Sequence, residues 1–450
     1  MSRKIINQFV AVIVLSVMIL SACTPGTAKP APAATIDPAK ITGKLTVWCW
    51  KAAWTDSIVK SGALDAFLAK YPNVTIDYVE TKPADLYQKL PLALQAGTGA
   101  PDFACVESSH LAQIVELGGL ADLTARVQPY ISQMNAYKWS DAMLNGKYYA
   151  MPWDSGPVVM YYRRDVFAAA GFASDPDSVS KLVATWDDYL NVCKTIKEKT
   201  GDDCFANNKA NNYARLYEMM LWQQGLGYYD KSGKVTVDSP ENIATLEELK
   251  KFWDANLLSD QSAWTDGWYA EMAKVAAADK PVATLVEAAW MGVFLKSWIA
   301  PGTEGKWGVA LMPAMKAGQV RTANDGGSNF VIPEQSQNKD AAWALSEWLF
   351  GKTESQVAIF KANDIFPSLE SAYEDPFFSE SDKFFGDQVV RKTYVEMVKI
   401  IPIGYVYGPY YSQMNGFVAT AIQKVATGQM PVADALKEAA DAIRAQTGMP

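Results

Sequence analysis

The sequence predicts an α/β protein whose sheets are flanked by helices, and three observations predict it. Short runs rich in β-branched and aromatic residues alternate with amphipathic stretches from Lys44 onward. The order strand, helix, strand, helix, strand, helix proceeds without an internal repeat, the pattern of a parallel sheet covered on both faces. The chain has 450 residues, 49% apolar and 20% charged, an ordinary globular mixture long enough for two domains.

The elements follow in order. "KLTVWCW" is a dense apolar run of β-forming residues, and in "SGALDAFLAKYP" Leu64, Phe67 and Leu68 recur at helical spacing. "NVTIDYVE" alternates as a strand does, and "DLYQKLPLALQAG" is helical, with Pro91 expected to kink it. "APDFACVE" is a third strand, before "SHLAQIVELGGLADL", a helix ending near Gly118 and Gly119. In "KYYAMPW" and "GPVVMYYRRDVFAAAG" two strand-like pieces flank Asp154-Ser155-Gly156-Pro157, the form of a crossing between lobes. From "TWDDYLNVCKTIKEK" the chain turns largely helical, with Thr185 placed to cap and Ser239-Pro240 a cap and first-turn pair. Strand character returns in "PVATLVEAAWMGVFL", "WGVALMPA" and "GGSNFVIPE"; "NKDAAWALSEWLFG" and two C-terminal stretches are amphipathic helices.

Composition sets aside several functions. Net charge is −8, and no long basic run occurs, so nucleic acid is not an expected partner. A single histidine, His110, argues against a His-based metal site or a Ser-His catalytic unit, and no cofactor is expected. Aromatic residues make up 12% of the chain, with 15 Trp and 21 Tyr: a large core, or a site that stacks flat apolar faces.

The N-terminus reads as an export leader. "MSRKIINQFVAVIVLSVMILSAC" has a basic start at Arg3 and Lys4, an apolar run too short to span a membrane, and small residues before Cys23. "LSAC" resembles a lipobox, which implies removal of residues 1–22 and acylation of Cys23; a plain signal peptide is the simpler alternative. Loss of Arg3 and Lys4 takes the net charge two lower, from −8 to −10. Residues 23–40, rich in Pro, Ala and Thr, form a tether expected to stay extended and flexible. Export permits disulfides. Cys193 and Cys204 face a local turn, and Cys49 and Cys105 fall in two strands that could be neighbours; each pair either bridges or stays as buried thiols.

Taken together, "LTVWCW" with "AFLAKYPNVTIDY", then "LPLALQAGTGAPDFACVESSHLAQIVELGGLADL", "NGKYYAMPWDSGPVVMYYRRDVFAAAG", "KWGVALMPA", "GGSNFVIPEQSQNKDAAWALSEWLF" and "ADALKEAADAIRAQ" resemble, in order and over nearly the whole mature length, the family 1 bacterial extracellular solute-binding proteins of the sugar-uptake, maltose-binding type. The paired cysteines are not a general feature of that family. The resemblance implies two α/β lobes of the type II periplasmic-binding fold, with mixed sheets, about three crossings as a hinge, and sugar held in the cleft. By analogy one lobe takes 41–154 plus 322–368 and the other 155–321 plus 369–450. It further implies a monomer at the outer face of the cell membrane, handing its carbohydrate to an ABC-transporter permease.

A sugar presents hydroxyl edges, which carboxylates and amides bind in plane, and apolar C–H faces, which aromatic rings cover. Glu107, at the mouth of the third strand, and Asp154, at the first crossing, are candidate hydroxyl acceptors. Trp290 in "VEAAWMGVF" is the leading stacking residue, since the matching family segment often places an aromatic ring in the cleft. Trp50 and Trp54 flank the first strand's end, Trp153 adjoins Asp154, and Trp268 and Tyr213 open later helices. Tyr407 and Tyr410 lie in a loop that in relatives supplies an aromatic wall. Gly326 and Gly327 would let backbone approach the ligand, with Asn324 and Asp325 beside them. Trp222, Trp253 and Trp348 have the spacing of core. Two rival readings remain: a secreted glycoside hydrolase using Glu107 and Asp154 as acid and base, and the same fold binding another solute.

Overall fold

A computed structural model of the protein describes residues 37–206, 214–403 and 407–450. The leader, Cys23, most of the tether and Tyr213 lie outside the described residues. The tether's last residues, expected to be extended, instead make a single 3-10 turn, Pro38–Lys40, because the Asp37 carboxylate accepts from the Ala39 N–H at 3.1 Å. Among the described residues no helix is long and apolar enough to cross a membrane.

Among the described residues ten strands form three sheets. In chain order they are β1 (Gly43–Cys49), β2 (Val74–Glu80), β3 (Phe103–Glu107), β4 (Met143–Leu144), β5 (Lys147–Tyr148), β6 (Ala150–Pro152), β7 (Val158–Arg163), β8 (Thr284–Ala288), β9 (Trp307–Ala310) and β10 (Ser328–Val331). The largest sheet runs β2-β1-β3-β10-β6. β1 is parallel to β2 and β3, as the strand-helix alternation predicts, whereas β10 lies antiparallel between β3 and β6. A second sheet, β8-β7-β9, is antiparallel throughout. The first sheet is therefore mixed and the second antiparallel, because β7 and β10 enter by crossings from the other half of the molecule instead of through a local helix.

Local chemistry sets the elements. Leu45, Val47 and Cys49 alternate inward along β1, while β7 and β8 are buried at every position, as strands covered on both faces must be. Thr185 and Asp188 close a capping box on the helix Trp186–Thr200, and the Ser239 side chain accepts from Asn242 N–H to start Pro240–Asp254. The helix Pro83–Ala96 continues through Pro91 and buries Leu86, Leu90 and Leu94. Trp222 and Trp253 are buried, and Trp348, half-buried, donates its indole N–H to the Ala63 carbonyl at 2.9 Å. Among the described residues two disulfides staple the halves internally: Cys49, at the end of β1, to Cys105, in the middle of β3, Cα atoms 5.0 Å apart, and Cys193 to Cys204 at 5.1 Å.

The chain passes between the two sheets three times, and the passages lie side by side. The first, after β6, bridges to the second at Pro157 and Asn324 and to the third at Asp154 and Pro367. Asp325 N–H donates to Gly156 C=O at 2.8 Å, Ser155 N–H to Phe366 C=O at 2.8 Å, and Ser368 N–H to Trp153 C=O at 3.0 Å. Glycine is required at two of these points. A Cβ at Gly156 would stand 1.9 Å from the Asp325 carbonyl oxygen; at Gly327, whose φ is +89°, one would stand 2.8 Å from that of Asp154.

Candidate functional site

A cavity of about 350 Å³ opens where the strand ends of both sheets meet the crossings, the usual place for a ligand in open α/β sheets. On one side β1 stops at Cys49 and Trp50 begins a helical turn, and β3 stops at Glu107 where the helix Ser108–Leu117 starts. Opposite, β8 ends at Ala288, two residues before Trp290. Trp50, Glu107, Trp153, Asp154 and Trp290 line the cavity, with Asp325, Gly326 and Gly327 of the second crossing at its floor and Tyr407 beyond.

Four expected residues among those described lie off this cavity: Trp54, Trp268, Tyr410 and Asn324. Trp54 is one helical turn past Trp50 and faces the sheet, 1% exposed, stacked on Tyr78 at 5.6 Å. Trp268, also 1% exposed, donates its indole N–H to the Ala206 carbonyl at 2.6 Å and sits behind Trp264. Tyr410 is exposed at the start of the helix Tyr411–Ala426, off the cavity. Asn324 is a tie within the crossings: its Oδ1 accepts from Gly156 N–H at 3.2 Å and its Nδ2 donates to Gly326 C=O at 3.0 Å. It lines a small separate cavity with Tyr137, Asp141 and Trp222.

Other lining residues were not singled out from the sequence. Trp264 stacks on Trp290 with centroids 5.8 Å apart and planes at 29°, and Phe294 packs on Trp290 at 5.5 Å. Phe294 stands four residues after Trp290, a spacing that could have been noticed. Arg215 is the sole arginine between Arg164 and Arg321, at the head of the buried helix Arg215–Trp222, and that isolation was the available signal. Ser109, Ser328, Asn363 and Ile365 carry no comparable pattern.

The polar floor is organised around Arg215. Its guanidinium lies 3.0 Å from Asp325 and 3.7 Å from Glu218, over the Trp222 ring at 5.5 Å, and these acids hold it charged despite burial. Glu218 in turn accepts from Tyr411, Tyr228 and Asn415 at 2.7, 2.8 and 2.8 Å. Glu287 on β8 is 2% exposed; burial, then Asp325's charge, push its carboxyl well above the ordinary range.

Across the cavity, burial also raises Glu107, against the opposing pull of the Tyr87 hydroxyl and Arg215. Glu107 N–H donates to Tyr87 Oη at 3.0 Å, and the Tyr87 ring lies flat on His110, centroids 3.7 Å apart. Burial and Arg215 press His110 down to about 4, so it is neutral at pH 7 and forms no ion pair with Glu107. Asp154 is partly committed: one oxygen accepts from Ser328 N–H at 2.6 Å, tying the first crossing to the second. Beneath it the buried Lys138 donates to Ser108 Oγ at 2.7 Å. The arrangement is a pair of aromatic faces with acidic oxygens between them, and the one cation among the described lining residues, Arg215, is already paired.

Comparison with known proteins agrees with this architecture. The family model described as bacterial extracellular solute-binding protein matches residues 52–356. Over 410 residues the chain is 27% identical to the lactose-binding protein of Rhizobium radiobacter, covering 90% of this chain and 93% of that protein. It is 27% identical over 358 residues to the arabinooligosaccharide-binding protein of Halalkalibacterium halodurans, covering 78% of each. A crystal structure of an extracellular solute-binding protein of family 1 superposes with a TM-score of 0.76 at 25% identity, covering 89% of this chain and 99% of that one. Two α/β lobes of the type II fold, three adjoining crossings and a cleft at the strand ends are thus the inherited frame, and the chain belongs to the bacterial extracellular solute-binding proteins.

Proposed function

We propose that the protein captures a neutral sugar, an oligosaccharide in preference to a single ring, by closure of its lobes, and delivers it unaltered to the permease of an ABC importer. One observation carries the reading: aromatic faces from both sides of the crossings, Trp50 opposite Trp290 and Trp264, bound one cavity whose floor is carboxyl-rich. Aromatic faces suit the C–H surface of a sugar ring, and carboxylates and the Asp325 and Glu107 region suit its hydroxyls. The names of the two relatives, a lactose and an arabinooligosaccharide binder, support the same ligand class. The lobes in this reading comprise 41–154 plus 322–368 and 155–321 plus 369–450, and the bridges between residues 154 and 367 and between 157 and 324 support junctions near those bounds. In this reading residues 1–22 are removed on export, and Cys23, acylated, anchors a monomeric protein outside the cytoplasm.

The test is a thermal-shift panel of lactose and of arabino-, galacto- and malto-oligosaccharides, followed by titration calorimetry of the best ligand. Trp290→Ala should weaken that ligand roughly 10- to 100-fold. Unchanged affinity in the variant removes Trp290 from the site, and a panel without any shift overturns the sugar reading.

A further inference from the structure

Trp290, Phe294 and Trp298 recur every fourth residue along two consecutive helical segments, Met291–Phe294 and Leu295–Ile299, and so share one face. Their rings form a ladder with centroids 5.5 Å apart at each step. The first two rungs line the cavity. Trp298 does not, yet 50% of its surface is open to solvent, while Tyr269 braces it edge-on at 5.0 Å. Core packing accounts for Trp268 and Trp307, which are buried; it does not account for an indole left half bare beside a cleft.

A second observation lies at the same rim. Trp264, 37% exposed, is held at φ +65°, a conformation that a bulky side chain adopts only under constraint from its surroundings. The strain places its ring against both Trp290 and Phe294. Three indoles and a phenyl ring are therefore contiguous from the cavity wall to the outer surface.

We propose that this ladder is a stacking track on which a sugar chain longer than the cavity continues outward, with Trp298 as the outermost platform. The inference rests on reading the cleft as a carbohydrate site and extends it: the ligand is an oligosaccharide whose end projects from the cavity along this helix face. The rings step along this face with centroids 5.5 Å apart, so successive rungs present successive faces to an extended chain. Stacking on such a face is tolerant of which sugar occupies it, because it reads C–H surface rather than the pattern of hydroxyls.

The experiment compares affinities within one series. Arabino-, galacto- and malto-oligosaccharides of increasing length are titrated calorimetrically into the parent protein, Trp298→Ala and Trp298→Phe. The track predicts that affinity rises with length in the parent, and that Trp298→Ala lowers the affinity of the longest member roughly three- to tenfold more than that of the shortest. Trp298→Phe, which keeps a ring, should preserve most of the length dependence. Far-ultraviolet circular dichroism and Tm matching the parent's show that the variants are folded. A series that binds, but with equal losses at every length or none, overturns the track while leaving the cleft reading intact, and leaves Trp298 to a protein or lipid contact. If no series binds, the cleft reading falls and the track with it.

Discussion

Glu287 shows how much of this site is decided by neighbours rather than by residue type. A glutamate amid "PVATLVEAAW" is unremarkable as text, yet in the fold it is 2% exposed and faces Asp325, and burial and that charge push its carboxyl well above the ordinary range. In the unfolded chain it ionises above about 4.5. Between that value and its raised folded value the folded state holds a proton that the unfolded state has lost. Its contribution to stability is therefore fullest below the unfolded value and declines as pH rises through the folded one. Glu287→Gln, which keeps a donor towards Asp325 and cannot ionise, should raise Tm by roughly a few degrees at pH 7.5 and by less near pH 4. An equal or lower Tm at pH 7.5 would show that the carboxyl is ionised in the fold. Glu107, by contrast, is the last residue of its strand and Trp290 stands just past the end of another, where position alone implies a cleft residue. Arg215 could not be read the same way, because its role depends on Asp325, more than a hundred residues distant, being brought 3.0 Å from it.

At the scale of elements, the parallel trio β1, β2 and β3 was legible because each strand and its following helix are adjacent in sequence and their apolar periods differ. The antiparallel insertion of β10 was not, since pairing with β3 and β6 is fixed by how the crossings return and by no local pattern. The cysteines sit between these cases: "LTVWCW" and "PDFACVE" are recognisable strands, and their pairing follows once β1 and β3 are neighbours. The two bridges should differ in worth. Cys49–Cys105 closes a separation of 56 residues and Cys193–Cys204 one of 11. Loop-closure entropy then assigns about 4 kcal/mol to the first and about 3 kcal/mol to the second. Urea unfolding of the two double-alanine variants should show the larger loss of midpoint for Cys49→Ala/Cys105→Ala. The reverse order would mean that the loop closed between 193 and 204 carries strain relief or residual unfolded structure that chain entropy omits.

For the molecule as a whole, the crossings do two tasks at once, and a single atom links them. The Asp325 carbonyl oxygen accepts the Trp290 indole N–H at 3.1 Å, fixing the aromatic wall to the second crossing. The same oxygen is the one a Cβ at position 156 would approach to 1.9 Å. Gly156 lies on the first crossing and outside the cavity lining, yet any side chain there must push the second crossing away and carry Trp290 with it, along with the Asp325 carboxylate that pairs with Arg215. Closure of two lobes around a ligand requires these passages to stay in register while they bend. Gly156→Ala should thus cost about 1–3 kcal/mol in stability, the range for overpacking a tight contact. It should also weaken the best sugar by an amount comparable with Trp290→Ala, although position 156 does not touch the ligand. Gly416→Ala is the control: its added Cβ meets no atom within 4 Å on the helix Tyr411–Ala426, so stability should hold or rise slightly. Small-angle scattering supplies the global readout. Sugar should reduce the radius of gyration of the parent and of Gly416→Ala, and at the same concentration leave Gly156→Ala unchanged. A Gly156→Ala protein that binds and contracts as the parent does would show that the wall and the hinge move independently.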